Sequence, residues 1–199
     1  MYKSLKDGNT NNGDLKSETR LIQYNYGDGV LEFTSDLGVF SKNKLDYGSR
    51  LLIENYIKYG RNNIDLLDVG CGYGFIGLSL ARIKNTNSTM VDVNKRAVHL
   101  ANMNIKNNKI KNAVAFESNI YERVEGLYDV VITNPPIRTG RETVLTFLRD
   151  SKKFLKPGGE LWFVMRKDQG ALTVAKKLED LYKIEIIDKS KGFLIFKGI

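Results

Sequence analysis

A chain of 199 residues with 42% hydrophobic content is long enough to bury one sizeable core, so one compact domain with a short appendage is expected. A formal net charge of +8 favours a phosphate-rich partner, nucleic acid above all, although the same lysines also serve solubility. Cys71, the single cysteine, excludes an intramolecular disulfide and a cysteine-built zinc site; with no secretory leader and no apolar run of membrane-spanning length, a cytoplasmic location is expected.

Residues 1–20, polar and rich in Asn, Gly and Lys, read as a flexible arm, and 21–199 as the domain proper. Short apolar stretches broken by Gly27-Asp28-Gly29 and Ser35-Asp36 predict a small hairpin within 21–43. Leu51, Leu52, Tyr56 and Tyr59 recur at helical spacing between 45 and 59, with Gly60 as a stop. Strand and helix then alternate: a strand over 64–70, a helix over about 75–84, a strand over 89–93, and a helix with Ala97, Val98, Ala101 and Ile105 on one face. Strands follow at 113–117, 128–133 and 160–165. The last two are separated by a helix carrying Val144, Leu145, Leu148 and Leu155, closed by Pro157-Gly158-Gly159. A helix around 170–182 precedes a terminal hairpin turning at Lys189-Ser190-Lys191. Alternation of this kind, with near-continuous apolar strands, predicts an α/β fold: a mostly parallel sheet with helices on both faces and ligands beyond the carboxyl ends of the strands.

The run LLDVGCGYGFIG places Gly70, Gly72 and Gly74 directly after the first strand of the alternation, where missing side chains let the backbone turn sharply and approach a ligand. With Cys71 it forms a predicted cofactor cradle. Gly72, Gly74 and Gly77 also satisfy the G-x-G-x-x-G dinucleotide pattern, and Asp92 follows Gly72 at the spacing expected of a ribose-binding acid. A ribose is common to NAD and S-adenosylmethionine, so the loop by itself leaves both open. Asp68, inside an otherwise apolar strand end, needs a hydrogen-bonding or cationic partner, which loop amides or the amino-acid portion of S-adenosylmethionine would supply.

A second motif ends the strand at 128–133: Asn134-Pro135-Pro136-Ile137 stops a run of β-branched residues with two prolines, which cannot continue a regular element. Together with Asp68-Val69-Gly70-Cys71-Gly72-Tyr73-Gly74 it resembles the class I S-adenosylmethionine-dependent methyltransferases. Within them it is similar to the small methyltransferase-domain family, which includes the bacterial 16S rRNA guanine-N2 methyltransferases. The segment GVFSKNKLDYGSRLL (38–52) resembles the one preceding the first strand in that group. The resemblance implies a single Rossmann-like domain with a seven-stranded sheet whose last strand is antiparallel. It implies Asp92, with Val93 beside it, on the cofactor ribose, and Asn119-Ile120 beside the adenine. Two departures stand out: Leu37 replaces a common proline, and the additional amino-terminal domain of the rRNA enzymes is not expected in 199 residues.

The resemblance gives Asn134, Pro135 and Pro136 a chemical task. An exocyclic amine is a poor nucleophile because its lone pair is delocalised into the ring. Two acceptors for its hydrogens, the Asn134 side-chain oxygen and the Pro135 carbonyl, would favour a tetrahedral nitrogen, and consecutive prolines fix the geometry in advance. A sulfonium methyl is already activated, so no metal is expected; His99 is assigned a surface or packing role and Cys71 that of a small side chain in a tight turn. Ile137, where adenine-N6 and glutamine-amide methyltransferases often carry an aromatic residue, leans toward guanine N2 in 16S ribosomal RNA. A release-factor glutamine, an adenine N6, a nicotinamide oxidoreductase and a non-catalytic RNA-binding module are the alternatives. Arg138 and Arg166, with Arg141, Lys167, Lys42 and Lys44, are expected to line the same sheet edge as an RNA-binding rim.

Overall fold

A computed structural model describes residues 18–36, 39 and 45–199. It opens on a hairpin, β1 (Thr19–Tyr26) and β2 (Gly29–Asp36), paired in register from Thr19 with Asp36 to Tyr26 with Gly29. β1 therefore begins inside the stretch expected to be an arm, whose first seventeen residues lie outside those described. Helix α1 (Tyr47–Tyr59) starts at Asp46, whose carboxylate accepts from the Ser49 amide at 2.7 Å, a side-chain cap of the helix N-terminus.

The alternation then follows as β3 (Asp65–Val69), α2 (Phe75–Ile83), β4 (Asn87–Asp92), α3 (Lys95–Asn107), β5 (Ala113–Glu117), β6 (Tyr128–Thr133), α4 (Arg141–Asp150), β7 (Leu155–Arg166), α5 (Ala171–Lys176), β8 (Ile184–Ser190) and β9 (Phe193–Gly198). The second sheet has seven strands in the order β5-β4-β3-β6-β7-β9-β8. All neighbours from β5 to β7 are parallel, and β9 runs antiparallel between β7 and β8, as the family resemblance implied.

Period-two alternation sorts the strands between two cores. Leu66, Val130, Ile132, Trp162 and Val164 face α1, α2, α3 and the hairpin, while Leu67, Val131, Leu161, Phe163 and Met165 face α4 and α5. Trp162, fully buried, meets Tyr56 of α1 edge-on at 5.1 Å. Side chains buried to this degree stabilise the fold by roughly 1.5–3 kcal/mol each.

Three boundaries differ from expectation. Leu155 belongs to β7, not to the preceding helix: α4 ends at Asp150 and one 3-10 turn (Ser151–Phe154) follows, with Ser151 Oγ bonded to the Leu148 carbonyl and the Tyr182 hydroxyl. Pro157-Gly158-Gly159 lies within β7, where the register against β6 shifts between Tyr128 and Val130. The helix expected to 182 stops at Lys176, because the next amides bond three residues back rather than four; Glu179 and Asp180 would also sit unfavourably at a helix C-terminus. The last turn is tighter than expected, with Lys191 and Gly192 both at positive φ.

β3 and β6 are adjacent, yet the chain leaves β3 toward β4 and returns to β6 on the other side. Their carboxyl ends flank the crevice in which such sheets bind ligands. Both sequence motifs open into it.

Candidate active site

The glycine loop, 70–74, is strapped to the end of β4. Gly70 and Cys71 amides donate to the Val91 carbonyl at 2.8 and 3.0 Å, and the Gly72 amide donates to Asp92 Oδ2 at 2.9 Å. Gly70, Gly72 and Gly74 all have positive φ. A Cβ on Gly70 would also sit 3.1 Å from the Phe147 ring, so a side chain there is opposed by strain and by space. Gly74 leads into α2 without a side-chain cap of its own, and of the first-turn amides that of Gly77 is taken by Asp68.

Asp68 lies beneath this loop with no exposed surface. Its Oδ2 accepts from the Gly77 amide at 2.9 Å, while Oδ1 is buried without a hydrogen-bond partner among the described residues. Burial pushes the carboxyl up to about 7, opposed by the Gly77 amide and reinforced by nearby Asp92. An orphaned acceptor beside the N-terminus of α2 suits a zwitterionic amino-acid group, whose ammonium and carboxylate have opposite needs.

Asp92, expected to take both ribose hydroxyls, already accepts one backbone amide on each oxygen, from Gly72 and from Asn94, both at 2.9 Å. Each oxygen keeps a second lone pair. Burial raises its carboxyl above the usual range despite these amides. Asn119 donates to Glu122 at 2.6 Å, and its Oδ1 is buried without a partner among the described residues. Ile120 next to it holds φ at +55°, where a β-branched residue is strained. An unfilled acceptor and a strained backbone thus coincide in this loop, a combination that clusters at ligand sites. Val93 is half-buried between Asp92 and Asn94.

Cys71 is buried, and burial with the two neighbouring carboxylates pushes its thiol well above the ordinary value. His99 is exposed on α3.

Asn134 is held from a distance. Its Nδ2 donates to Asp46 Oδ2 at 2.8 Å and to Ser49 Oγ at 2.9 Å, both at the start of α1. A carboxylate can only accept, so the amide nitrogen must face Asp46 and the amide oxygen must turn the other way. Thr133, one residue earlier, ties the end of β6 to β3 through a 2.7 Å bond to the Val69 carbonyl. The Pro136 carbonyl is taken by the amide and hydroxyl of Thr139, whereas Pro135 is buried beside Asn134. Ile137 begins a short 3-10 turn (Ile137–Thr139) and packs against the core on the α4 side.

Asp46 and Ser49 were not singled out by sequence reasoning. An Asp immediately before a helical pattern was a legible capping signal, but nothing local joins it to a strand end 88 residues away. Asn104 was also missed. Fully buried on α3, it bonds both backbone groups of Thr34 at 2.8 and 3.0 Å and the Tyr73 carbonyl of the glycine loop at 2.9 Å.

Arg166 ends β7 and Arg138 lies shortly beyond β6, its parallel neighbour, so both stand at the same end of the sheet. Arg166 Nε and Nη2 are engaged with Asp168 at 2.9 and 2.7 Å. Arg141 and Lys167 are exposed at the same end; Lys42 and Lys44 lie outside the described residues.

Residues 30–197 match the model of the methyltransferase small domain family. The chain is 41% identical to an uncharacterized Bacillus subtilis protein, YbxB, over 92% of this chain and 93% of that protein. It is 32% identical to the Escherichia coli ribosomal RNA small subunit methyltransferase C over 81% of this chain, but spans only 47% of that enzyme. Among solved structures, it superposes with a TM-score of 0.82 at 25% identity on the Thermus thermophilus 16S rRNA N2 G1207 methyltransferase in complex with AdoMet and guanosine. That match covers 92% of this chain and 51% of the other. The chain thus spans about half the length of the rRNA-modifying relatives it matches.

Proposed function

Because the chain belongs to the methyltransferase small domain family and is an S-adenosylmethionine-dependent methyltransferase, we propose that it methylates the exocyclic N2 amine of a guanine in 16S ribosomal RNA. The observation that carries this reading is the orientation of Asn134. With both amide hydrogens committed to Asp46 and Ser49, its carbonyl oxygen is the face left for a substrate amine.

Family membership also decides between the two cofactors that the glycine loop left open. The residues fit S-adenosylmethionine: Asp68 Oδ1 and the α2 amides suit its methionine portion, Asp92 its ribose, and Asn119 Oδ1 its adenine amine. When bound, it supplies a methyl group already activated by the positive sulfur.

The chain's own task is to present the amine. Asn134 Oδ1 and the Pro135 carbonyl accept its two hydrogens, which favours a tetrahedral nitrogen and frees the lone pair for attack. Asp46 is a positioning residue: it holds the Asn134 amide in the one rotation that offers oxygen to the substrate. The prolines keep the neighbouring carbonyl in place without reorganisation. Ile137, lacking an aromatic face for stacking, supports guanine over adenine or a glutamine amide.

The test is incubation with labelled S-adenosylmethionine and, separately, naked 16S rRNA, assembled small subunits or a release factor, alongside Asn134→Ala. Label in RNA, abolished by the substitution and located at guanine N2, is expected. Label only in the release factor would replace the RNA reading with a protein one.

A further inference from the structure

The turn joining β8 to β9 is strained at a lysine. Lys191 and Gly192 are its central residues, with φ of +47° and +81°. Two-residue hairpin turns of this kind take Asn, Asp or Gly at the first position. Lysine has the steric cost of the left-handed region and a side chain too long for the local hydrogen bonds that offset it in Asn and Asp. The turn needs two residues here, but it does not need a cation.

That cation has a place to go. Lys191 Nζ lies 4.9 Å from the centroid of the Tyr47 ring, and the Arg166 guanidinium lies 5.3 Å from that of Phe193. The two rings are 5.6 Å apart and form one surface. Tyr47 is tied to Ser190 Oγ at 2.8 Å, and Phe193 packs so closely on α1 that a Cβ on Gly48 would meet its ring at 2.8 Å. Arg166 is oriented by its fork to Asp168, which uses Nε and Nη2 and leaves Nη1 for a second acceptor. Its Nη2 is also 4.0 Å from where a Cβ on Gly192 would stand, so the guanidinium lies against the turn that carries Lys191.

The surface adjoins the chemistry. Arg166 ends β7 and Phe193 begins β9, at the same end of the sheet as Asn134. Tyr47 directly follows Asp46, in the helix turn whose Asp46 and Ser49 hold Asn134. We propose that Lys191 and Arg166, carried on the Tyr47 and Phe193 rings, clamp a backbone phosphate of the RNA strand adjoining the target guanine. A point charge and a fork carried on two touching rings are the two kinds of cation that phosphate recognition uses. This assignment rests on the RNA reading above and extends it to the strand outside the target base.

Lys191→Gly in the full chain is the informative variant, because it removes the cation and the backbone strain together. Its melting temperature is expected to rise while binding to a short guanine-containing single-stranded RNA weakens. The dependence of log affinity on log salt should become shallower by about 0.7 for each phosphate that is no longer neutralised. Arg166→Gln should do the same, and both should raise KM for a 16S rRNA transcript with kcat maintained. A residue serving only the turn would give the rise in melting temperature without the weaker RNA binding. Unchanged affinity and salt slope in both variants, with RNA methylation intact, overturn the clamp alone. A parent protein that neither binds nor labels RNA overturns the clamp and the RNA reading together.

Discussion

Asn134 donates from Nδ2 to Asp46 Oδ2 at 2.8 Å, so the residue that caps α1 also sets the rotation of the amide at the end of β6. Substitutions at Asp46 separate its two tasks. Asp46→Asn preserves the cap, since Asn and Asp cap helices equally well, and stability should barely change. It replaces a charged acceptor with a neutral one whose own amide can turn, so kcat should fall about tenfold. Asp46→Ala should cost about 1 kcal/mol of stability and about 100-fold in kcat. S-adenosylmethionine affinity, read by calorimetry, is expected to be unchanged in both; an unaltered kcat would remove Asp46 from the positioning of Asn134.

Asp68 makes stability depend on pH. Its folded value of about 7 lies above the ordinary 3.8, so between these the folded state binds more protons than the unfolded state. Stability is then greatest at or below pH 4 and declines as pH rises to about 7, by a few kcal/mol, beyond which this group adds no further slope. Asp92, also raised, acts in the same direction. Asp68→Asn should flatten part of this decline, so thermal melts of the parent and the variant should diverge with pH. The bound ammonium should favour ionised Asp68, giving tighter S-adenosylmethionine binding at pH 7 than at pH 5 with proton release on binding.

At Asn119 the prediction concerns affinity. Its Oδ1 has no partner within the described residues, so Asn119→Ala leaves no protein donor unpaired at that oxygen. Melting temperature should hardly move, while S-adenosylmethionine affinity should fall about tenfold, the worth of one buried hydrogen bond. Titration against S-adenosylmethionine and decarboxylated or adenine-modified analogues would locate the effect; equal weakening toward an analogue lacking the adenine amine would count against a bond from that amine to Asn119.

Asn104→Ala should be costly in a different way. It leaves both backbone groups of Thr34 and the Tyr73 carbonyl without their partner, at about 3 kcal/mol in all. Because Tyr73 lies in the glycine loop, cofactor affinity should fall along with stability. Denaturant unfolding and calorimetry on the same variant would test both, and a loss of stability with full cofactor affinity would confine Asn104 to holding the hairpin.

Much of this was legible locally. The apolar strands, the glycine loop and the Asn-Pro-Pro stop were readable because each reflects short-range sterics: glycine tolerates positive φ, proline lacks an amide, and β-branched residues suit a pleated surface. Boundaries were less so. Leu155 fitted a helical face in sequence and became the first residue of β7, because Ser151 turned its hydroxyl back to the Leu148 carbonyl and to Tyr182, 31 residues on. Asn104 and Asn108, which carry no local sequence signal, complete the edge of β2 by bonding both backbone groups of Thr34 and of Glu32.

The sequence by itself determined the α/β class, the glycine loop after β3 and the Asn-Pro-Pro stop after β6, because those depend on residues within one turn or strand end. Only the tertiary structure decided which way the Asn134 amide faces, which buried oxygens of Asp68 and Asn119 remain for a ligand, and that a strained lysine stands beside the site on an aromatic surface. Each of these depends on hydrogen bonds and packing between segments far apart in sequence, whose geometry exists only once β3 and β6 lie side by side with α1 packed across them.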